Sequence, residues 1–268
     1  MAVPKIHELN VETLLEATGA EIEQVFDLFS THGCVKITPK RSISQSEISP
    51  ALSKLGRHFG NPVRHKLSDS AGVHPIRNLP GFPQYANTTS SDLLLHTDGS
   101  FEKNPPKMMM IYCETPAEQG GLSRICFAED VYEFLKQEHF ETLAGLFRPD
   151  AFMIKRDDRE ALRSVFEVCD GRISMAFRYG TDVSLQIHPM ARAGIAAIIE
   201  FVSDPANYAE FLLGEGQLLL MDNTRILHGR TVFLPGSHRV LHGLWCDGRD
   251  ADPDKIKFGF APEKLEHQ

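Results

Sequence analysis

One short run constrains this chain more than any other: Leu93-Leu94-Leu95-His96-Thr97-Asp98-Gly99-Ser100-Phe101. It is apolar at its start and ends in His-x-Asp. Read as a strand from Leu93 to Asp98, it sends successive side chains to opposite faces, so His96 and Asp98 project together. An imidazole and a carboxylate on one face of a buried strand are two thirds of a facial metal site. The fold has to bring one more His to them from a distant strand.

The pattern around the run is one of short strands, turns and a few helices. Ile22, Val25, Phe26 and Phe29 fall on one helical face within Glu21–Phe29, which Gly33 ends. Ser44–Phe59 repeats the pattern with Ile48, Leu52, Leu55 and Phe59. Further helices are expected over Glu129–Leu146 and over 190–213, the latter broken at Pro205. Strands are expected at Cys34–Ile37, Lys107–Cys113, Arg124–Phe127, Ala151–Ile154, Ile173–Phe177, Gln217–Met221 and Val240–Trp245. The run Met108-Met109-Met110 reads as core filler. No repeat or linker interrupts the pattern, so residues 1–268 are expected to form a single domain, with 1–32 as a helical lead-in and 247–268 as a peripheral tail. The fold class is mainly β with α: a double-stranded β-helix (jelly roll, cupin-like) core flanked by helices.

Charge and composition narrow the partners. The formal net charge is -8 and no basic block stands out, which argues against nucleic acid and against an anionic membrane surface. No apolar run is long enough to span a bilayer, and Met1–Asn10 has no signal-peptide character. Cys34, Cys113, Cys126, Cys169 and Cys246 are odd in number and widely spaced, mostly within apolar runs. They are expected to be buried reduced thiols of a cytoplasmic protein.

His228 is the third ligand candidate, placed where Leu218-Leu219-Leu220-Met221-Asp222-Asn223 turns into the next strand. Two His and one carboxylate suit Fe(II), and three facial ligands leave three positions for substrates. Zinc would accept the same residues with one position for water. Arg239 lies eleven residues beyond His228, at the start of an apolar strand, where a guanidinium can hold a carboxylate in a fork. Ser123, after Gly120-Gly121-Leu122, offers a hydroxyl to the same group. A zinc-dependent hydrolase would leave Arg239 without a task and would need a general base. A non-catalytic metal-binding protein would not need the anion site.

His96-Thr97-Asp98, Gly120-Gly121-Leu122-Ser123, Asp222-Asn223-Thr224-Arg225-Ile226-Leu227-His228-Gly229-Arg230 and Arg239 together resemble the Fe(II)/2-oxoglutarate-dependent dioxygenases of the taurine dioxygenase-like (TauD/TfdA) family. The resemblance runs from about Gly33 to Trp245. Asp222 to Arg239 is most similar to the branch of γ-butyrobetaine and trimethyllysine hydroxylases, although the Cys-rich N-terminal domain of the former is missing. Phe177-Arg178-Tyr179 is similar to the clavaminate-synthase-like branch, which acts on amino-acid derivatives.

The resemblance implies that His96, Asp98 and His228 ligate Fe(II), and that Arg239 and Ser123 hold the far carboxylate of 2-oxoglutarate, with Ser where the family more often has Thr. O2 is the other co-substrate, and succinate and CO2 are released as a C–H bond of a small polar, amino-acid-like metabolite is oxidised. Asp98 distinguishes the chain from the related halogenases, which replace this carboxylate with a small residue. Asn87, Phe101, Arg178, Tyr179 and Arg230 are the candidate substrate contacts. His58, His65, His188, His238 and His242 are read as packing or surface residues. The family often forms dimers or tetramers.

Overall fold

The computed structural model describes residues 5–79 and 88–262. The chain opens with β1 (His7–Val11), α1 (Gly19–His32), β2 (Cys34–Pro39), α2 (Gln45–Gly56), β3 (Pro62–Val63), β4 (His74–Ile76) and β5 (Leu93–His96). Next come β6 (Met108–Thr115), β7 (Ser123–Phe127), α3 (Ala128–Glu138), α4 (Leu143–Leu146), β8 (Phe152–Arg156), β9 (Arg159–Arg163), β10 (Phe166–Cys169) and β11 (Arg172–Met175). The last elements are β12 (Ser184–Ile187), α5 (Arg192–Ser203), β13 (Ala209–Phe211), β14 (Leu218–Asp222), β15 (Ile226–Arg230) and β16 (Val240–Cys246).

A seven-stranded sheet runs β1-β2-β14-β6-β16-β3, with β4 also on β16, and a four-stranded sheet runs β13-β7-β15-β5. Together with the flanking helices they form the double-stranded β-helix expected from the sequence, and the fold class is that of its structural neighbours. Period-2 alternation explains why the large sheet is buried on both faces. In β6 and β14, Met108, Met110, Tyr112, Leu218 and Leu220 pack under α1 and α2. Met109, Cys113, Leu219 and Met221 face the other way and meet Ile125, Phe127 and Ile226 of the small sheet. Capping boxes at Thr18/Glu21 and Ser44/Glu47 fix where the two helices start.

Several local expectations are corrected. The lead-in is not helical throughout, because His7–Val11 joins the large sheet in parallel with β2. The segment after Asp247 is not wholly peripheral: Ile256 and Phe260 are buried, and Gly259 N–H donates to the Asp222 carboxylate at 2.7 Å. The region 129–146 divides into α3 and α4, and past Pro205 the chain becomes a strand on β7 rather than continuing as helix. Cys169 is exposed, because it ends a short outer hairpin, whereas the other four Cys are buried.

Candidate active site

β5 and β15 are antiparallel neighbours in the small sheet, with His96 directly across from His228. The two ring centroids are 4.5 Å apart. This close pairing explains the His-Gly-Arg sequence. A Cβ on Gly229 would stand 2.5 Å from the Leu93 carbonyl oxygen, so only glycine lets β5 approach. The register slips between His228 and Arg230, a bulge of the kind that re-aims side chains at sites.

Asp98 reaches the pair by a different route from the one expected. The strand ends at His96, and Asp98 lies in the following turn. Asn223 holds that turn: Asp98 N–H donates to Asn223 Oδ1 at 2.7 Å, and Asn223 Nδ2 donates to the Asp98 and Pro106 carbonyls at 2.9 and 2.7 Å. Thr97 pins its other side, with its N–H on the Phe177 carbonyl at 2.8 Å and its hydroxyl accepting from Phe177 N–H at 2.9 Å.

The result is a cluster of His96, Asp98 and His228 whose potential ligand atoms all lie within 4.8 Å of one another. His96 Nδ1 is 2.7 Å from the Leu94 carbonyl, which only accepts, so Nδ1 carries the proton and Nε2 carries the lone pair. That lone pair faces Asp98 Oδ1 at 3.2 Å, and His228 Nε2 lies 3.8 Å from Asp98 Oδ2. Burial pushes the His228 imidazole down to about 3 and lowers His96 as well. Burial alone would raise the Asp98 carboxyl, but His228, His96 and Arg178 outweigh it and hold it below the usual range. Neutral imidazoles and an ionised carboxylate directed at one point are the donor set for a hard-to-borderline dication.

A second group faces the same cavity. Ser123 of β7 pairs with Arg230 of β15, and Arg239 leads into β16. The guanidinium carbons of Arg230 and Arg239 lie 4.9 and 5.1 Å from the centroid of the Phe233 ring. Arg230 Nη2 braces the preceding loop through the Thr89 and Ser91 carbonyls, at 2.9 and 2.7 Å. Arg239 Nη1 is buried and has no hydrogen-bond partner among the described residues. Burial lowers Arg239 to about 10 and, with help from Arg239, lowers Arg230 to about 9, so both stay charged at neutral pH. Neither forms an ion pair with a described carboxylate. A buried charge in that state is costly until an anion arrives. Gly121 makes the room, since a Cβ there would stand 3.2 Å from Arg239 Nε.

The cavity is lined further by Phe101, Arg156, Arg159, Arg178, His65, His74 and Trp245. Of the sequence candidates, Phe101, Arg178 and Arg230 therefore join the cluster. Tyr179 does not line this cavity; it lines an adjoining pocket with Arg178 and Asp182, because the chain turns away after Phe177. Asn87 lies outside the described residues. Arg178 is 2% exposed and bound to Asp182, which places it inside the site and not on the surface.

Sequence reasoning assigned no role to Asn223, His74, Arg156, Arg159 and Trp245, and it read His65 as a packing or surface residue. The clue for the arginines was Arg156-Asp157-Asp158-Arg159, a two-residue turn signal between apolar segments that marks a hairpin. His65 and Trp245 show no such signal. β3 and β16 bring them near one another, with ring centroids 5.5 Å apart.

A jelly roll with this pair of features defines the Fe(II)- and 2-oxoglutarate-dependent oxygenases as a class. The chain matches the family described as "Taurine catabolism dioxygenase TauD, TfdA family" over residues 3–245, and it belongs to that family. It is 27% identical over 237 residues to a uridine-5'-phosphate dioxygenase from Streptomyces sp, covering 81% of this chain and 85% of that protein. Among solved structures, asparagine oxygenase in complex with Fe(II), 2S,3S-3-hydroxyasparagine and succinate superposes with a TM-score of 0.66 at 18% identity, covering 87% and 81% of the two chains. AAD-2 in complex with Mn(II) and N-oxalylglycine superposes with a TM-score of 0.70 at 13% identity, covering 93% and 97%. The protein is a dioxygenase that uses Fe(II), 2-oxoglutarate and O2. No helix among the described residues is long and apolar enough to cross a membrane.

Proposed function

We propose that His96, Asp98 and His228 hold Fe(II), and that Arg239 and Ser123 hold the distal carboxylate of 2-oxoglutarate. One observation carries this reading: the three-residue cluster and the unpartnered, buried Arg239 Nη1 face one cavity. The donor set fits the metal, and the orphaned guanidinium fits a dicarboxylate. Bound iron and 2-oxoglutarate supply the oxidising chemistry, with succinate and CO2 as by-products. The protein's own residues do the rest. Leu94 fixes the His96 tautomer through its carbonyl, Asn223 sets the position of Asp98, and Phe101, Ile76, Leu241 and Trp245 supply the apolar part of a wall that is otherwise lined by charged and imidazole side chains.

The substrate is a small polar metabolite, amino-acid-like, and the reaction is hydroxylation of an unactivated C–H bond. Support comes from the buried Arg178 in the cavity wall and from the fold match to asparagine oxygenase, which is solved in complex with 2S,3S-3-hydroxyasparagine. The zinc-hydrolase reading is set aside: it gives Arg239 nothing to bind, and the family is one of dioxygenases. The four buried Cys accord with a reducing compartment, the cytoplasm, and the family habit suggests a dimer or tetramer, which sedimentation would test. The decisive measurement is anaerobic addition of Fe(II) and 2-oxoglutarate. A weak visible charge-transfer band should appear, followed in air by slow succinate production. Absence of both would sink the reading.

A further inference from the structure

β15 brings His228 and Arg230 to one cavity, and Arg230 stands directly across from Ser123 of β7. Directly opposed residues of an antiparallel pair share a face, so Arg230 belongs with the hydroxyl assigned to 2-oxoglutarate. Its guanidinium is occupied at one end only. Nη2 donates to the Thr89 and Ser91 carbonyls at 2.9 and 2.7 Å. Nε is buried and donates to no described acceptor, in a residue 5% exposed. Arg239 Nη1 is left open in the same way, and the two guanidiniums share the Phe233 ring, with carbons 4.9 and 5.1 Å from its centroid. Asp92 is the carboxylate whose charge favours Arg230, but its Oδ1 is bonded to Arg124 Nη1 at 2.9 Å.

The occupied end of Arg230 leads out of the metal cavity. Thr89 and Ser91, whose carbonyls it holds, line the adjoining pocket with Asp92 and Tyr179. Phe233 ties the same loop by donating its N–H to the Ser90 carbonyl at 3.1 Å, and it bridges to Gly120 in the turn before Ser123. Three successive carbonyls, of Thr89, Ser90 and Ser91, therefore accept from the 230–233 segment. Bracing this loop accounts for Nη2. It does not account for a buried Nε beside a second cation that opposes its charge. Two guanidiniums on one ring repel each other until an anion stands beside both.

We propose that Arg230 couples the co-substrate to the 89–91 loop: its free Nε shares the distal carboxylate of 2-oxoglutarate with Arg239 and Ser123, and its Nη2 passes that occupancy to the wall of the adjoining pocket. The proposal rests on the oxygenase reading and moves Arg230 from the substrate contacts, where the sequence placed it, to the co-substrate side. A carboxylate offers about four lone-pair sites, enough for all three donors. Once bound, it removes the repulsion between the two guanidiniums and fixes Arg230. A fixed Arg230 holds two of the three loop carbonyls, so the loop opens less often. Such coupling is reciprocal, and whatever orders the loop from the pocket side tightens 2-oxoglutarate by the same factor.

The test compares 2-oxoglutarate with 2-oxobutyrate, which keeps the keto acid end and lacks the distal carboxylate. Both are titrated anaerobically into the Fe(II)-loaded protein and followed by the charge-transfer band. Arg230→Gln should weaken 2-oxoglutarate about tenfold or more while 2-oxobutyrate stays within about twofold. Arg230→Lys, which keeps the charge, should recover part of the loss, and it carries the comparison if the Gln variant does not fold. The 2-oxobutyrate band shows that each variant is folded and loaded. Hydrogen exchange of the Phe233 amide reads the loop. In the wild type 2-oxoglutarate should slow it and 2-oxobutyrate should not, and in Arg230→Gln neither should. Equal weakening of the two keto acids would reduce Arg230 to a brace and overturn the proposal, as would unchanged 2-oxoglutarate affinity. Protection of Phe233 by 2-oxoglutarate that persists in Arg230→Gln would overturn the coupling. Failure of the oxygenase reading would show separately, as a missing band with both keto acids in the wild type.

Discussion

Arg239 and Arg178 line one cavity and are both buried, at 5% and 2% exposure, yet they are held in different ways. Arg178 is tied to Asp182, four residues on, which also lies 3.7 Å from Arg156. Arg239 faces inward with Nη1 unpartnered among the described residues. A cation left open in the folded state suits a ligand bound at every turnover, because no internal partner has to be displaced. A cation already paired keeps its position when the cavity is empty and exchanges partners when substrate enters. On the proposed assignment, the contrast is between a co-substrate face, on β7, β15 and the start of β16, and a substrate face that includes Arg178.

The largest expected effect tests what the two faces share. His228→Ala should weaken Fe(II) binding and turnover by more than about 100-fold, since loss of even an outer partner of a ligand costs ~10–100-fold. Metal titration followed by the charge-transfer band measures it, and unchanged Fe(II) affinity would remove His228 from the proposed set. The faces themselves are told apart by the two arginines. Arg239→Ala should weaken 2-oxoglutarate by about 1.5–3 kcal/mol, roughly 10- to 100-fold, as a charge-assisted bond is lost. Arg178→Ala should leave 2-oxoglutarate affinity nearly unchanged while raising KM for the primary substrate. Equal losses of 2-oxoglutarate affinity in the two variants would erase the distinction.

The two faces also differ in how far they could be read from sequence. His96, Asp98, Ser123, His228 and Arg239 stand in short patterns whose chemistry is local, and the structure gathers them around one cavity. Even there the mechanism of placement was hidden: Asp98 owes its position to Asn223, 125 residues away, and not to strand alternation. The proposed substrate face is almost entirely tertiary. Arg156 and Arg159 reach the site because a hairpin folds back onto the 99–103 turn, and His65, His74 and Trp245 meet through β3, β4 and β16. No local periodicity encodes such meetings. Tyr179, chosen because it follows Arg178, illustrates the limit: adjacency in sequence put it in the neighbouring pocket.

His74 gives a smaller effect, read through pH. It is 2% exposed with Nδ1 unpartnered among the described residues, and burial, reinforced by His65, lowers it to about 3. In the unfolded chain its imidazole protonates near 6.5. Between these values the unfolded state binds more protons, so stability is complete above about 6.5 and falls with falling pH, by ~1.4 kcal/mol per unit at most. Asp222 acts in the opposite sense. Burial raises its carboxyl to about 6, so its contribution declines as pH rises from about 3.8 to 6. His74→Gln leaves the Asp222 contribution in place and should flatten the acid side of the metal-free stability curve by about 1–2 kcal/mol between pH 6.5 and 5. Parallel curves from urea unfolding would show that His74 is not held neutral.

Tyr179→Phe marks the outer edge of the substrate face and should do least. Its ring packs on Phe177, with centroids 5.6 Å apart, and its hydroxyl interacts with Ser203 of α5, not with any group of the metal cavity. Removing that hydroxyl should cost less than about 1.5 kcal/mol of stability, the upper worth of one hydrogen bond. It should leave 2-oxoglutarate affinity unchanged and kcat/KM for the primary substrate within about twofold, because no polar group is left unpaired in the chamber. A tenfold fall in kcat/KM with an unchanged melting temperature would extend the substrate face past Arg178 into the adjoining pocket. The pairing of Arg178 with Asp182, which lines that pocket, would then serve as a wall between two parts of one substrate site rather than as its boundary.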